Sequence, residues 1–160
     1  MNYYDSISKG YEELHKEEQE KKIKIIYKYL NPKKNDKLLD VGCGTGLTTI
    51  PWKCKKYGID PAKKLLERAN NKNEIEYKLA KAEDIPYNDN YFDYVISITA
   101  IQNFKNINKG LNEIKRVGKE KFILSFLKKS SKASEIKKLI NSLFNVKKEI
   151  EEEKDIIFII

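Results

Sequence analysis

Apolar residues recur along the chain in short runs, and between these runs they follow helical spacing. The short runs predict five buried strands, over 37–42, 54–60, 75–80, 92–98 and 122–127. Helical spacing predicts four helices, over 10–30, 62–70, 105–117 and 134–144. Strands that alternate with helices are typical of a parallel sheet with right-handed crossovers and helices on both faces. The predicted fold class is therefore α/β.

The C-terminal tail departs from this alternation. Two short strands are predicted near 146–149 and 156–160, and the few polar residues between them favour an antiparallel hairpin. The run IIFII would invite aggregation at an exposed sheet edge, so we expect that strand to insert between others. The sequence thus predicts a mostly parallel sheet that is finished by one antiparallel strand.

The N-terminal segment is polar and ends at a proline. The residue before a proline avoids the α region, so Asn31-Pro32 ends the helix and separates residues 1–32 from a core domain over 33–160. The segment lacks the apolar region of a secretory signal, and no run reaches the roughly 18–20 apolar residues that span a bilayer. We therefore expect a cytoplasmic protein with no membrane partner.

The chain carries 32 basic and 24 acidic residues, a net charge of +8. A basic surface attracts polyanions, which makes RNA a candidate partner. Only Arg68 and Arg116 among the basic residues offer the planar fork that reads phosphate and guanine, and the rest are lysines. A lysine-rich composition equally fits genome bias or growth at high temperature. Two cysteines and one histidine, His15, form no metal-binding set, so no metal site is predicted.

The first predicted strand runs into a glycine turn that contains Gly42, Gly44 and Gly46. Glycines let the backbone approach a ligand closely and adopt positive φ. The dinucleotide pattern would require a further glycine at the position of Leu47. A carboxylate at Asp40, two residues before the turn, would repel a pyrophosphate and suits a cationic amine. The turn therefore favours a nucleoside that carries an amino acid over a dinucleotide.

A second acid, Asp60, ends the second predicted strand. Ligands of open α/β sheets lie outside the carboxyl ends of the strands, where this carboxylate can accept hydrogen bonds from both ribose hydroxyls. The alternative is that Asp60 only caps the helix that Pro61 begins. Its spacing from Asp40 and the glycines favours ribose binding.

Three motifs in this order resemble the class I S-adenosylmethionine-dependent methyltransferase family. They are LLDVGCGTG at 38–46, YGID at 57–60 and AEDIPYNDNYFDYVIS at 82–97, and the resemblance covers about residues 37–127. It implies an enzyme with a Rossmann-like, seven-stranded, mostly parallel sheet whose last strand is antiparallel. It also implies that residues 1–32 form a helical lid and that the cofactor is S-adenosylmethionine.

The resemblance further implies where the cofactor binds. The first acid and the glycine turn would hold the methionine part, the second acid the ribose, and the start of the third motif the adenine. Residues after the fourth strand would close the pocket, and a lid tyrosine would reach the cofactor carboxylate, although an exposed aromatic residue is the alternative for that tyrosine. The implied cofactor-binding residues are Asp40, Gly42, Cys43, Gly44, Gly46, Asp60, Pro61, Ala82, Glu83, Ile98, Thr99 and Tyr11.

The sequence departs from the family pattern at two places. Many relatives carry an acid where this chain has Lys81, so Glu83, Asp84 or a backbone group would contact the adenine amine. The segment after Gly46 is short, so we expect only a stunted helix from Leu47. Pro51 and Trp52 would end that helix, with Trp52 used for packing.

The acceptor is predicted from ISITAIQNF, residues 96–104. This segment is similar to that of small-subunit rRNA guanine-N7 methyltransferases, which implies that Gln102 and Phe104 hold and stack a base. A structural phenylalanine at a helix joint is the alternative for Phe104. The chain shows no obvious general base, and guanine N7 carries no proton, so no catalytic residue is assigned.

Three functions remain open at this point. The first is a methyltransferase on RNA, such as a base nitrogen of rRNA or tRNA, with a small activator protein as a further candidate partner. The second is a methyltransferase on a small metabolite such as a quinone-type ring, which AEDIPYNDNYFD equally resembles. The third is a cofactor-binding partner subunit without catalytic activity.

Overall fold

The structure is a computed structural model and describes residues 3–69 and 74–160. Its helices are α1 (Tyr3–Ile26), α2 (Lys63–Glu67), α3 (Ile107–Val117) and α4 (Ala133–Leu143). Its strands are β1 (Lys37–Val41), β2 (Lys55–Asp60), β3 (Ile75–Leu79), β4 (Phe92–Ser97), β5 (Gly118–Leu127), β6 (Lys148–Glu151) and β7 (Asp155–Ile159). The chain divides into two compact units, residues 1–31 and 32–160. Helix α1 lies in the first unit, and the other elements form the second.

The seven strands form one sheet in the order β3-β2-β1-β4-β5-β7-β6. Strands β1 to β5 run parallel, whereas β7 lies between β5 and β6 and is antiparallel to both. Ile157 and Phe158 of the IIFII run are fully buried there. The charged strand β6 takes the edge, which is the usual protection against pairing with other chains. The predicted α/β sheet and its inserted antiparallel strand are confirmed.

Helix α3 packs through the apolar stripe that the sequence predicts. Ile107, Leu111, Ile114 and Val117 recur at helical spacing and are at most 6% exposed. Asn106 caps the helix, because its side chain accepts a hydrogen bond from the third residue beyond it at 3.0 Å. The stripe belongs to the main hydrophobic core, so the helix is fixed against the sheet.

The helix expected from Leu47 is wrong. Residues 47–51 form turns instead, and residues 52–53, which the structure also describes, are irregular. The hydroxyls of Thr48 and Thr49 both donate to the Asp40 carboxylate, and Pro51 supplies no N–H for a helical hydrogen bond. The segment thus makes one helical hydrogen bond, from the Ile50 N–H to the Gly46 carbonyl at 2.9 Å, and does not continue as a helix.

No helix among residues 3–69 and 74–160 combines the length and the apolar character needed to cross a membrane.

Arg116 of α3 fastens the loop between β3 and β4. Its guanidinium donates to the carbonyls of Ile85 and Tyr87, both at 2.9 Å, and to Asp89 at 2.9 Å. It also pairs in bidentate fashion with Glu113, at 2.7 and 2.9 Å. This pairing lowers the pKa of the Glu113 carboxyl. The planar fork therefore holds a loop that begins next to the predicted adenine side of the site.

Arg116→Lys is expected to lower the free energy of unfolding by about 2 kcal/mol, because one ammonium cannot reproduce the fork and leaves loop carbonyls without donors. Chemical denaturation measures the change. Lys115→Ala, an exposed change on the same helix, serves as the matched control and should have little effect. Equal stability of Arg116→Lys and the native protein would show that the loop holds without the fork.

Candidate active site

The carboxyl ends of the parallel strands lie at one edge of the sheet, and most of the predicted site residues are found there. Strand β1 leads into the glycine turn, and β2 ends at Asp60. Strand β4 lies beside β1, and Thr99 follows it closely in the chain. This arrangement is the ligand-binding edge of open α/β sheets.

The backbone of the glycine turn adopts conformations that would be strained for residues with a side chain. Gly42, Gly44 and Gly46 have φ values of 79°, 55° and 92°. A side chain at Gly42 would also begin 2.5 Å from the Cβ atom of Ala100, which approaches from the β4 side. The turn is joined to β2, since the Gly42 N–H donates to the Ile59 carbonyl at 2.8 Å. The turn is therefore a defined cradle between β1, β2 and β4.

Asp40 is fully buried beside this turn. One carboxylate oxygen, Oδ2, accepts hydrogen bonds from the hydroxyls of Thr48 at 2.6 Å and Thr49 at 2.7 Å. The other oxygen, Oδ1, is buried and has no hydrogen-bond partner. Burial raises the pKa of Asp40 to about 6 against the opposing effect of both threonines, and the charge of Asp60 adds to the rise. A buried acceptor is thus left for a donor that the described residues do not supply.

Asp60 is 7% exposed and already bonds to two backbone groups. Its Oδ2 accepts from the Gly44 N–H at 2.9 Å, and its Oδ1 accepts from the Ala62 N–H at 2.8 Å. Asp60 does not cap α2, because the N-cap residue of that helix is Ala62 and it has no side-chain cap hydrogen bond. The exposed Pro61 follows Asp60, and the bond to Gly44 links Asp60 directly to the glycine turn. A carboxylate has about four lone-pair positions, so each oxygen retains room for a further donor.

The predicted adenine side lies at the start of the loop after β3. Ala82 is buried, and the carboxylate of the buried Glu83 accepts a hydrogen bond from the Asn106 N–H at 3.2 Å. Lys81 and Asp84 are exposed. Glu83 thus fixes the start of α3 to this loop, and its role toward adenine stays a prediction.

The end of β4 carries a polar cluster that the sequence reasoning missed. Thr99 adopts a φ of 57°, which is a strained conformation for a β-branched residue. Its hydroxyl donates to the Asp155 carboxylate at 2.6 Å, and the Ser125 hydroxyl donates to the same oxygen at 2.8 Å. The Ser125 hydroxyl in turn accepts from the Thr99 N–H at 3.0 Å. A fully buried carboxylate therefore fixes Thr99, while the neighbouring Ile98 is buried at 3% exposure.

The two predicted substrate residues have internal contacts. The Gln102 side chain donates to the Thr99 carbonyl at 2.9 Å and accepts from the Leu127 N–H at 3.5 Å. Phe104 is 7% exposed and belongs to the hydrophobic core, where its ring occupies the space that a side chain at Gly110 would need. This packing favours the structural alternative for Phe104, and substrate contact by either residue stays a prediction.

Tyr11 and Cys43 are the two remaining predicted cofactor-binding residues, and the structure describes the side chain of Cys43 only. The side chain of Tyr11 lies outside the described residues. Cys43 is 4% exposed within the glycine turn, and burial raises the pKa of its thiol. The thiol is therefore neutral, and it serves the turn as a small apolar side chain.

The missed residues gave unequal signals in the sequence. Thr48 and Thr49 come one residue after the glycine turn, and two adjacent hydroxyls near a buried acid could have suggested a bonded carboxylate. Asp155 stands in the charged run EIEEEKD, where it looks like one more surface acid. Only the pairing of β7 with β5 brings it under Thr99.

The family of this chain follows from comparison with known proteins. The family described as "methyltransferase domain" matches residues 39–126, more than half of the chain, so the chain belongs to that family. An uncharacterized protein of Methanocaldococcus jannaschii is 32% identical over 126 residues, which are 78% of this chain and 49% of that protein. Demethylmenaquinone methyltransferase of Staphylococcus carnosus is 30% identical over 128 residues, which are 71% of this chain and 53% of the enzyme. The chain thus spans about half the length of these curated relatives.

Solved structures show the same fold. A protein of Pyrococcus horikoshii superposes with a TM-score of 0.75 at 20% identity, over 91% of this chain and 89% of that one. A second similar structure is the Haloferax volcanii complex between the Trm112 methyltransferase activator and a candidate methyltransferase, with a TM-score of 0.66 at 18% identity. That match covers 79% of this chain and 61% of the other. Both similarities are similarities of fold, and they agree with the seven-stranded, mostly parallel Rossmann-like sheet.

Proposed function

We propose that this chain binds S-adenosylmethionine at the glycine turn and transfers its methyl group to a nucleophile at the carboxyl ends of β4 and β5. One observation carries the proposal. The buried Asp40 carboxylate presents an oxygen without a hydrogen-bond partner beside a turn of three glycines with positive φ. A buried unpaired acceptor is costly for the protein, and such costs concentrate at functional sites.

The residues present fit this cofactor. Its amino-acid end carries an ammonium group, which is the donor that Asp40 lacks and whose positive charge favours the ionised carboxylate. Asp60 retains lone pairs for the two ribose hydroxyls. A side chain at Gly44 would meet no atom closer than 3.9 Å, so the turn is open on that side. The cradle would therefore hold a nucleoside with a cationic amino-acid end, as the sequence predicts.

The chain contributes alignment and exclusion of water. When bound, the sulfonium supplies an electrophilic methyl group, and its displacement leaves a neutral thioether. Asp40 and Asp60 fix two ends of the nucleoside, and the strained Thr99 is held rigidly by Ser125 and Asp155. Such positioning lowers the barrier by several kcal/mol in enzymes in general. A dedicated base is unnecessary where the accepting atom carries no proton.

The proposed acceptor is RNA, with a base nitrogen of rRNA or tRNA as the methylated atom. The net charge of +8 supports this, because lysines attract the phosphate backbone. The resemblance of residues 96–104 to guanine-N7 methyltransferases supports it further. A small activator protein remains a proposal, since the likeness to the Haloferax volcanii complex is one of fold alone.

A small metabolite is the second candidate acceptor. The relative in Staphylococcus carnosus, by its name, methylates demethylmenaquinone, which is a quinone-type ring. This relative supports a small quinone-type molecule as the alternative acceptor. The third candidate, a partner subunit without catalysis, would bind the cofactor and transfer nothing.

A transfer assay separates these candidates. The purified chain is incubated with S-adenosylmethionine labelled in its methyl group, together with host RNA or with demethylmenaquinone. Label in RNA, with RNA binding retained at about 200 mM salt, supports the first candidate, because nonspecific lysine attraction fades at that salt. Label in the quinone supports the second. Binding of the cofactor without transfer to any host fraction supports the third, and absence of binding contradicts the proposed function itself.

A further inference from the structure

Tyr77 reaches from β3 to the glycine turn, although the family motifs do not include it. In the sheet register Asp40 lies opposite Gly58, and Gly58 lies opposite Tyr77. Laterally paired residues of parallel strands point to the same face, so Asp40 and Tyr77 share one face across β2. The strand between them presents a glycine at that level and leaves the face open.

Gly58 provides the space that the Tyr77 ring uses. A side chain at Gly58 would begin 3.1 Å from the Tyr77 ring and 2.8 Å from the Cys43 sulfur. At its far end, the Tyr77 hydroxyl occupies the place where a side chain at Gly46 would begin. The ring thus extends over β2, and its hydroxyl lies against the glycine turn.

The Tyr77 hydroxyl is buried and has no hydrogen-bond partner. Burial raises the pKa of Tyr77 to about 12, and the neighbouring Cys43 and Asp40 add to the rise, so the group keeps its proton and is a donor. Asp40 Oδ1, on the same face, is a buried acceptor without a partner. The Tyr77 hydroxyl and Asp40 Oδ1, a donor and an acceptor without partners, therefore both lie beside the glycine turn.

We propose that Tyr77 is a further cofactor-binding residue, whose hydroxyl donates a hydrogen bond to the carboxylate at the amino-acid end of S-adenosylmethionine. The complementary ammonium donates to Asp40, so the two residues together recognise a zwitterion. The inference rests on the proposed function, because it assigns a ligand atom within the same site. It explains why two polar atoms beside one turn remain without partners in the protein alone.

Binding of a ligand series to Tyr77→Phe tests this assignment by calorimetry. S-adenosylhomocysteine carries both charged groups, its decarboxylated analogue carries only the amine, and methylthioadenosine carries neither. Because the variant loses a hydrogen bond to a charged group, its affinity for S-adenosylhomocysteine is expected to be about tenfold lower or more. The affinities of the other two ligands should stay unchanged. Asp40→Asn should give a different pattern. It should lower the affinity for the decarboxylated analogue as well, because that analogue keeps the ammonium group.

Tyr87→Phe is the matched control. Its hydroxyl is also buried without a hydrogen-bond partner, but its ring packs on Tyr57, whose side chain points to the sheet face opposite Gly58 and Tyr77. This variant should leave all three affinities unchanged. Thermal melting of both variants without ligand checks that each folds, and loss of an unpaired hydroxyl should not lower the melting temperature.

Three results would overturn the assignment. Unchanged affinity of Tyr77→Phe for S-adenosylhomocysteine would show that the hydroxyl contacts no ligand atom. An equal loss of affinity for all three ligands would mean that Tyr77 only shapes the turn. A lower affinity for the decarboxylated analogue would mean that Tyr77 contacts a part of the ligand other than the carboxylate. If the native chain binds none of the three, the proposed function fails and the inference fails with it.

Discussion

Asp60→Ala is expected to weaken the binding of S-adenosylhomocysteine by about 100-fold or more, because it removes the acceptor of two ribose hydrogen bonds and the link that holds Gly44. In the protein alone, the Asp60 carboxylate joins the Gly44 N–H on one side and the Ala62 N–H on the other. The same change leaves both N–H groups without their acceptor, so the free energy of unfolding should fall by about 1–3 kcal/mol. Calorimetry and chemical denaturation measure the two effects separately.

Ligand binding by Asp60 and its structural bonds to two backbone N–H groups can be separated with an analogue that lacks the ribose 2′-hydroxyl. The native protein should bind this analogue more weakly than S-adenosylhomocysteine, whereas Asp60→Ala should bind the two equally. Asp93→Ala is the matched control, because Asp93 also accepts a backbone hydrogen bond, from the Lys37 N–H at 2.9 Å, at the first residue of β1. It should lower stability and leave affinity unchanged. If the native protein binds the two ligands with equal affinity, Asp60 does not contact the ribose and its role is structural only.

The sequence predicted the parts of this site that depend on local pattern. A strand followed by spaced glycines and an acid at the next strand end placed Asp40 and Asp60 at one sheet edge, because parallel strands end on the same side. The burial of IIFII between two strands also followed from its hydrophobicity alone. These features need only the period of the pattern and the rules of chain connection.

Other features arise only when distant segments meet. The link between Asp60 and the Gly44 N–H depends on the three-dimensional path of the turn, and sequence spacing alone does not indicate it. The antiparallel pairing of β7 with β5 brings Asp155 within hydrogen-bond distance of Thr99, although the two residues are 56 positions apart in the chain. The position of Tyr77 against the turn likewise depends on Gly58 in the intervening strand, because any side chain there would crowd the ring. Such contacts are set by tertiary packing, which local propensity does not encode.

The contribution of Asp40 to the stability of the protein alone is expected to fall as the pH rises from about 4 to about 6, because Asp40 stays protonated to a higher pH in the folded state than in the unfolded state. Burial raises the pKa of Asp40 from 3.8 to about 6. Between these values Asp40 is more protonated in the folded state than in the unfolded state, so its contribution to the slope of unfolding free energy against pH is negative. A rise of about two units corresponds to about 3 kcal/mol, present below pH 4 and lost above pH 6. Asp40→Asn should remove this contribution from the pH profile.

Cofactor binding is expected to show the opposite dependence on pH. The ammonium of the ligand favours the ionised Asp40, and an α-amino group stays protonated below about pH 7.7, so affinity for S-adenosylhomocysteine should rise about tenfold from pH 5 to pH 7. Asp40→Asn should bind about 10- to 100-fold more weakly than the native protein at pH 7, with a nearly flat profile. Thr49→Val removes one hydroxyl that stabilises the ionised carboxylate, so the midpoint of the profile should move to higher pH, whereas Thr49→Ser should retain it. An affinity that stays constant from pH 5 to pH 7 in the native protein would mean that the ligand ammonium does not meet Asp40.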